Sequence, residues 1–378
     1  MNTLPPVIEL RQYTLHPARR DALIALFERE FIEPQESLGI TVAGIFRDLD
    51  EPDRFVWLRG FADMAGRPAA LAGFYDGPVW RTHRDAANAT MIDSDDVLLL
   101  NPADPHAVLG EAGLVTATVC TVRSHARALI DAFEQHVRAP WLAAGAQWVV
   151  GLVTEASPNN FPRLPVREGE SVIVWLSGFA DAGAQQRHAA QMAAGADWQR
   201  WCDGLETPAS TRRLAPTTRS AIGPAYVGRR HDFDFLVGRW DVHNRRLARR
   251  HVGSTVWEEF PALEQATTQL DGLVSVDQID FPTQGFSGCT VRTLDLAAQR
   301  WSIHWINSGS GRLEPPVHGG FRGDRGEFFG DDTDDGRAVR VRFVWERLGG
   351  EAARWTQAFA LPGQAWETNW IMEMRRRP

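Results

Sequence analysis

Trp57-Leu58-Arg59-Gly60-Phe61-Ala62-Asp63 recurs as Trp175-Leu176-Ser177-Gly178-Phe179-Ala180-Asp181, and at the same spacing of 118 residues Gly77 and Trp80 recur as Gly195 and Trp198. Upstream, Ala22-Leu23-Ile24, Phe27-Glu28, Pro34 and Gly39 match Ala128-Leu129-Ile130, Phe133-Glu134, Pro140 and Gly145 at a spacing of 106. Self-similarity at fixed spacing is the mark of an internal repeat. The two spacings differ mostly because of the longer stretch SPNNFPRLPVREGE, Ser157–Glu170, where the first copy has only DLDEPD. That insertion is dense in turn formers and falls between two strands, which makes it a candidate lid or partner surface.

Each copy reads strand, helix, strand, strand, helix. In the first, Val7–Leu15 is the opening strand, and Leu23, Leu26, Phe27 and Phe31 repeat at helical spacing. Ile40–Arg47 and Arg54–Phe61 are rich in β-branched and aromatic residues, and a helix follows from about Met64 to Phe74, then a segment bearing Trp80. This order fits a ferredoxin-like α+β half. Such a sheet carries helices on one face only, so two copies can bury their open faces against each other.

Beyond the second copy, ETPASTRRLAPTTRSAIGPAYVGRR (Glu206 to Arg230) carries three prolines and no acid after Glu206; it reads as a linker or an arm lying on an acidic surface. The remainder turns to short alternating strands such as Trp301-Ser302-Ile303-His304-Trp305, broken by turns such as Phe281-Pro282 and Asp335-Gly336. Eight of the fifteen tryptophans fall from Trp240 onward, and Gly238-Arg239-Trp240 places a ring where it could plug a barrel end. The expected domains are 1–110 and 111–205 for the two repeats, 206–230 for the linker and 231–378 for an antiparallel β-barrel.

The composition bounds the function. The chain has 378 residues, 44% hydrophobic and 23% charged, as in folded globular proteins and unlike disordered ones. A net charge of −8 argues against a broad nucleic-acid footprint. No apolar run approaches the roughly 20 residues of a membrane span, and the start MNTLPPVIEL lacks a signal-peptide pattern, so no membrane partner and a cytoplasmic location are expected. Cys120, Cys202 and Cys289 have no CxxC spacing. There is no lysine, which excludes Schiff-base chemistry and a P-loop. GxSxG and a supported GxGxxG are also missing, so the usual hydrolase triads and Rossmann cofactors lack support.

Val7-Ile8-Glu9-Leu10-Arg11-Gln12-Tyr13-Thr14-Leu15, with Gly44-Ile45-Phe46-Arg47, Trp57 and Trp80, resembles the NIPSNAP family of the dimeric α+β barrel superfamily over about residues 5–100, and the second copy does so more loosely. The resemblance implies two ferredoxin-like repeats forming an intrachain dimeric-α+β-barrel-type unit with a cavity between its sheets. Glu9, Arg11 and Tyr13 match the family's first-strand pattern, where the second copy aligns Val115, Ala117 and Val119. Relatives in the wider superfamily include cyclases, monooxygenases and haem enzymes, so no single reaction follows. Residues 231–378 resemble a calycin-type barrel of the DUF1579-like group through Phe235-Leu236-Val237-Gly238-Arg239-Trp240 and Trp366-Glu367-Thr368-Asn369-Trp370.

Two constellations could carry chemistry. Alternation puts Glu9, Arg11 and Tyr13 on one face of their strand; if Ile8, Leu10 and Gln12 pack on helices, the polar triple points between the sheets. There Arg11 and Arg59, beside Trp57 and Phe61, could clamp a carboxylate or enolate while Glu9 or Tyr13 moves a proton. Equally, Glu9 and Arg11 could simply pair with each other. In the C-terminal barrel, Trp301 and Trp305 could line an apolar pocket for a flat ligand, with Arg292, Gln357 or Asn369 orienting its polar end, or the barrel could be filled. His304 and His318 belong to no metal motif, and Asp331–Gly336 lacks the bidentate acid that a calcium loop needs, Arg342 standing there instead.

The leading expectation is therefore a small-molecule enzyme, a cofactor-independent isomerase, cyclase or lyase acting on an anionic, hydrophobic or aromatic substrate. A non-catalytic carrier of a hydrophobic or aromatic small molecule is the second. The third is haem chemistry through His83 or His136. The duplication also allows either a monomer or a homodimer.

Overall fold

The computed structural model describes residues 2–122, 126–362, 364 and 366–377. The chain divides into two units, Met1–Pro224 and Ala225–Pro378. No helix among the described residues is long and apolar enough to cross a membrane.

In the first unit the elements run β1 (Asn2–Thr3), β2 (Val7–Leu15), α1 (Arg20–Glu30), α2 (Ile32–Glu36), β3 (Thr41–Asp48), β4 (Arg54–Phe61), α3 (Arg67–Tyr75), α4 (Pro78–Asn88) and β5 (Met91–Pro102). The second half continues with β6 (Val108–Leu109), β7 (Leu114–Thr121), α5 (Ala126–Ala132), a π-turn, α6 (Arg138–Ala143), β8 (Trp148–Thr154), β9 (Val172–Phe179), α7 (Ala182–Ala194), α8 (Ala196–Cys202) and β10 (Ser210–Pro216). Two antiparallel sheets, β3-β4-β2-β5 and β8-β9-β7-β10, join at β5–β8 and β10–β3 into a closed eight-stranded barrel.

The duplicated motif is a strand-to-helix device. Its tryptophans, Trp57 and Trp175, are buried on the helix side of β4 and β9, and its leucines, Leu58 and Leu176, inside the barrel. Gly60 and Gly178 admit close neighbours, because a Cβ there would lie 2.4 Å from Pro5 Cγ or 2.2 Å from Trp148. The closing aspartates accept backbone N–H bonds three residues on, Asp63 from Gly66 at 2.6 Å and Asp181 from Ala184 at 2.7 Å. The latter is an N-cap of α7, worth about 1 kcal/mol.

Three expectations are corrected. Residues 206–230 are not simply a linker: β10 is the fourth strand of the second repeat, occupying the place that β5 holds in the first. Its arginines hid the strand in the sequence, because they answer acids rather than an apolar face: Arg212 bonds Asp48 and Glu51, and Arg213 bonds Asp50. Second, Ile8 and Leu10 join Val56, Leu58, Leu98, Val115, Val150 and Val174 inside the barrel, so Glu9, Arg11 and Tyr13 face the helices. The apolar set faces inward because both sheets together must fill one dry interior, and eight strands leave just enough width for side chains.

Third, the second copy is shifted by one residue on its first strand. Glu9 lies opposite Arg59 and Arg11 opposite Trp57, whereas Thr116 lies opposite Ser177 and Thr118 opposite Trp175. The counterparts of Glu9, Arg11 and Tyr13 are therefore Thr116, Thr118 and Cys120, not Val115, Ala117 and Val119. A one-residue slip exchanges the faces of a strand, which is why Val115 and Ala117 sit in the interior.

The second unit holds a short turn of 3-10 helix at Asp234–Leu236 and ten strands: β11 (Gly238–Leu247), β12 (Trp257–Gln269), β13 (Val274–Phe281), β14 (Phe286–Asp295), β15 (Arg300–Asn307), β16 (Val317–Arg322), β17 (Arg325–Asp334), β18 (Arg337–Arg347), β19 (Ala352–Ala360) and β20 (Glu367–Arg376). They pair in sequence order and close through β20–β11 into an up-and-down antiparallel barrel. Period-two alternation drives this: along β12, Phe260, Ala262, Glu264 and Ala266 are buried while their neighbours are exposed. Phe233 and Leu236 close one end, with Trp301 edge-on to Phe233 at 5.0 Å and Trp240 donating to Leu236 O at 2.7 Å.

Candidate functional site

The lumen of the ten-stranded barrel contains a cavity of about 130 Å³. Trp305, Trp345, Trp355 and Trp370, with Phe343 and Phe359, form much of its wall. Its inner polar lining comes mostly from three adjacent strands, Glu264 on β12, Asp277 on β13 and Thr290 with Arg292 on β14, with Gln357 on β19 across from them. Each follows from the alternation: Glu264 falls in the inward series Phe260, Ala262, Glu264, Ala266, and Asp277 in Ser275, Asp277, Ile279, Phe281. Glu314 and Pro315 between β15 and β16, and Asp331 and Asp332 near the end of β17, lie at the opposite end from the Phe233 plug and form the mouth.

Arg292 Nη2 lies 2.5 Å from Asp277 Oδ2, and its Nη1 donates to Ser275 Oγ at 3.3 Å. The guanidinium also stacks over Phe233 at 4.9 Å and Trp345 at 5.4 Å. Glu264 has no such cation of its own. Burial, then the neighbouring Asp277, push its carboxyl well above the usual carboxylate range, and Arg292 offsets this only in part. The protonated, neutral form of Glu264 is thereby favoured over the carboxylate, and Glu264 Oε1 has no hydrogen-bond partner. A neutral acid beside an ion pair, in an aromatic-walled lumen, can give a proton to a bound carbonyl or hydroxyl group and take it back.

Of the residues expected to bind a ligand here, Trp305, Arg292 and Gln357 line the cavity. Trp301 does not: it is fully buried at the closed end, where its Nε1 donates to Asp232 Oδ2 at 3.0 Å. Asn369 stands behind the wall, accepting from Gln357 Nε2 at 2.8 Å. Glu264 and Asp277 were missed, although a single acid within an inward-facing apolar series is a signal the alternation carries.

The expected catalytic residues of the first unit are brought together, but under the helices. Glu9 Oε2 accepts from Arg11 Nη1 at 2.6 Å and from Arg59 Nε at 2.7 Å, and Glu9 Oε1 accepts from Arg67 Nε at 2.8 Å. The four side chains are at most 2% exposed. The three guanidinium groups hold the Glu9 carboxyl far below the usual range against a large opposing burial effect. Arg11 Nε donates to Tyr13 OH at 3.0 Å, and Arg59 Nη1 to Tyr75 OH at 3.3 Å. Trp57 and Phe61 lie under the Arg59 guanidinium at 5.2 and 5.6 Å. Arg67, which the sequence reading overlooked, is further held by Asn159 and Asn160 of the Ser157–Glu170 insertion.

Haem finds little support in the placement of its expected ligands. His136 is exposed, and His83 faces Glu30 Oε2 at 3.5 Å, an acid that would have to release it before the ring could bind iron. Among the described residues no group of three or more His, Cys, Asp or Glu side chains is placed to hold a metal ion.

Comparison with known proteins gives a family for part of the chain. Residues 8–105 match the NIPSNAP family model. No curated protein matches. Among solved structures, an anthrone oxidase-like protein is similar with 12% identity and a TM-score of 0.42, over 57% of this chain and 93% of that one. A candidate monooxygenase from Lactobacillus acidophilus NCFM is similar with 12% identity and a TM-score of 0.39, over 56% and 94%. A candidate chlorite dismutase has 9% identity and a TM-score of 0.37, over 57% and 96%. Likeness this remote says nothing about what the chain acts on. The matched segment runs from β2 through β5, the whole first repeat, and residues 8–105 are a NIPSNAP domain.

Proposed function

We propose that the protein takes up a small apolar or aromatic molecule in the lumen of its C-terminal barrel and carries out cofactor-independent proton transfer on it, as an isomerase, cyclase or lyase does. The observation that carries this reading is Glu264, a buried carboxylic acid with an unpartnered oxygen in a cavity walled by four tryptophans. Two carboxyl groups and one already paired guanidinium make the lumen a poor host for an anion. A neutral head group, such as a ketone, phenol or amide, can accept from Glu264 and meet Thr290 or Gln357. The calycin-like resemblance of residues 231–378 belongs to this proposal.

A panel of neutral aromatic ketones, phenols and amides, with benzoate as the anionic control, tests it by calorimetry and product analysis. Neutral members compete with one another for one site from which benzoate does not displace them, and Glu264→Gln retains binding while turnover falls by about a hundredfold or more. Saturable binding without turnover in the native protein removes the enzyme reading and leaves the carrier. Displacement of the neutral ligands by benzoate would overturn the assignment of a neutral head group to the lumen.

A further inference from the structure

The sheet–helix layer of the first repeat encloses three guanidinium groups, Arg11, Arg59 and Arg67, around one carboxylate. Tyr13 and Tyr75 accept from them, but burial pushes the Tyr13 phenol up, so it supplies no charge. Asp96, the nearby acid on β5, is engaged by Arg54 and Arg167. The layer is therefore short of negative charge, and a buried charge without a counter-charge is strongly unfavourable.

The fold does not require these charges. At the positions of Glu9, Arg11, Arg59 and Arg67, the second repeat has Thr116, Thr118, Ser177 and Gln185, by strand register for the first two and by the 118-residue spacing for the others. All four are buried, and Ser177 Oγ accepts from Trp141 Nε1 at 3.0 Å, so neutral polar groups suffice for the same layer.

Two donors in the charged layer are unsatisfied. Arg59 Nη2 and Trp57 Nε1 are buried without hydrogen-bond partners, but Trp175 Nε1 in the second repeat is so too, which leaves Arg59 Nη2, over the Trp57 ring, as the donor peculiar to this layer. Arg67 Nη1 is met only by the amide oxygens of Asn159 and Asn160, at 3.1 and 2.9 Å, dipoles on an inserted loop whose Phe161 and Leu164 rest on the same core. Displacing that loop would open the cluster from the side that faces Arg67.

We propose that this cluster is an anion-binding site for a small carboxylate acid, covered by the 157–170 loop and independent of the lumen of the second unit. The flat guanidinium groups match a carboxylate in two-point hydrogen bonding, and the rings of Trp57, Phe61 and Tyr75 around Arg59 favour an aromatic acid over a bare ion. Inorganic phosphate offers the same acceptor chemistry and is separated by experiment.

The test is calorimetric titration of the full chain with benzoate, acetate and phosphate at constant ionic strength. One saturable site is expected, tightest for benzoate, with affinity falling about tenfold or more in Arg59→Gln. A fourfold variant bearing Glu9→Thr, Arg11→Thr, Arg59→Ser and Arg67→Gln, the second repeat's own solution, is expected to keep the native circular dichroism and to lose the site. No saturable binding to the native chain, or equal binding by the fourfold variant, overturns the proposal, and tighter phosphate than benzoate overturns the carboxylate assignment. Should the variants misfold, crystals soaked in 4-bromobenzoate decide: an anomalous peak beside the rings around Arg59 supports the site, and none there rejects it.

Discussion

The two barrels put their main buried charge clusters on opposite sides of the sheet. In the eight-stranded barrel the interior is largely apolar, with Gln12, Asp48 and Arg212 joined to one another at one end, and Glu9 with its three arginines lies outside the sheet, beneath helices. The described residues of the ten-stranded unit form no α-helix of their own, and Glu264, Asp277 and Arg292 lie inside the barrel. Width and cover explain the difference. The narrower eight-stranded barrel is packed with its own large apolar side chains, whereas the wider ten-stranded one keeps a cavity of about 130 Å³. A helical layer adds a second dry compartment that an uncovered barrel lacks. Buried charge in such proteins is to be sought wherever a compartment is both dry and larger than its apolar side chains can fill.

The largest expected effect is in the first compartment. Glu9→Ala leaves three buried guanidinium groups without a carboxylate and is expected to destabilise the protein by about 3–5 kcal/mol in chemical denaturation. The matching Thr116→Ala in the second repeat is expected to cost about 1 kcal/mol or less. Equal losses would end the contrast between the repeats.

Next comes the lumen. Asp277→Asn strips Arg292 of its partner and is expected to cost about 2–4 kcal/mol, while Glu264→Gln, which mimics the protonated form that burial favours, is expected to change stability little at pH 5. A large loss from Glu264→Gln at that pH would show the carboxyl to be ionised.

The two carboxyl groups also oppose each other in pH dependence. Glu9, lowered on folding, contributes stability that is present above its ordinary value of 4.5 and is lost as pH falls through its folded value. Glu264, raised on folding, contributes stability that is full below 4.5 and is lost as pH rises toward its folded value. Denaturation from pH 4.5 to 8 should therefore show a falling contribution that Glu264→Gln removes. A slope that persists in that variant refutes the assignment.

Smaller shifts test the remaining pieces. His188, buried against Trp141 and Phe179, has its pKa lowered from 6.5 to about 4 by burial, so its contribution is present above 6.5 and lost as pH falls toward 4. His188→Gln should remove that loss. Trp301→Phe, which gives up the bond to Asp232 at the plug, is expected to cost about 1 kcal/mol without altering ligand affinity in the lumen. A changed affinity would return Trp301 to the binding site.

Much of the architecture was legible in the chain. The recurrence of Trp57–Asp63 as Trp175–Asp181 required two like domains, because its residues serve local structural needs, with the ring on the helix side, the glycine at a close approach and the aspartate at the helix start. Alternation through Trp301, Ile303 and Trp305 required strands, and the absence of helical periodicity after residue 231 required an all-β unit. β10 escaped notice because its partners are acids from β3 and the turn after it, far away in sequence. The site was half legible: alternation grouped Glu9, Arg11, Tyr13 and Arg59 on one face, and named Arg292 and Gln357.

What the sequence determined by itself was which residues share a face, since a strand's period of two is a property of the backbone. Which face is the inside was decided only by the closed barrel, because burying Ile8 and Leu10 within it left the helix side to Glu9. The same holds for Glu264: its parity was fixed along β12, but the upward shift of its carboxyl comes from burial in the closed lumen and from Asp277 on the neighbouring strand, against the opposing pull of Arg292. Electrostatic energy depends on distances through space, and those exist only once the sheet has closed.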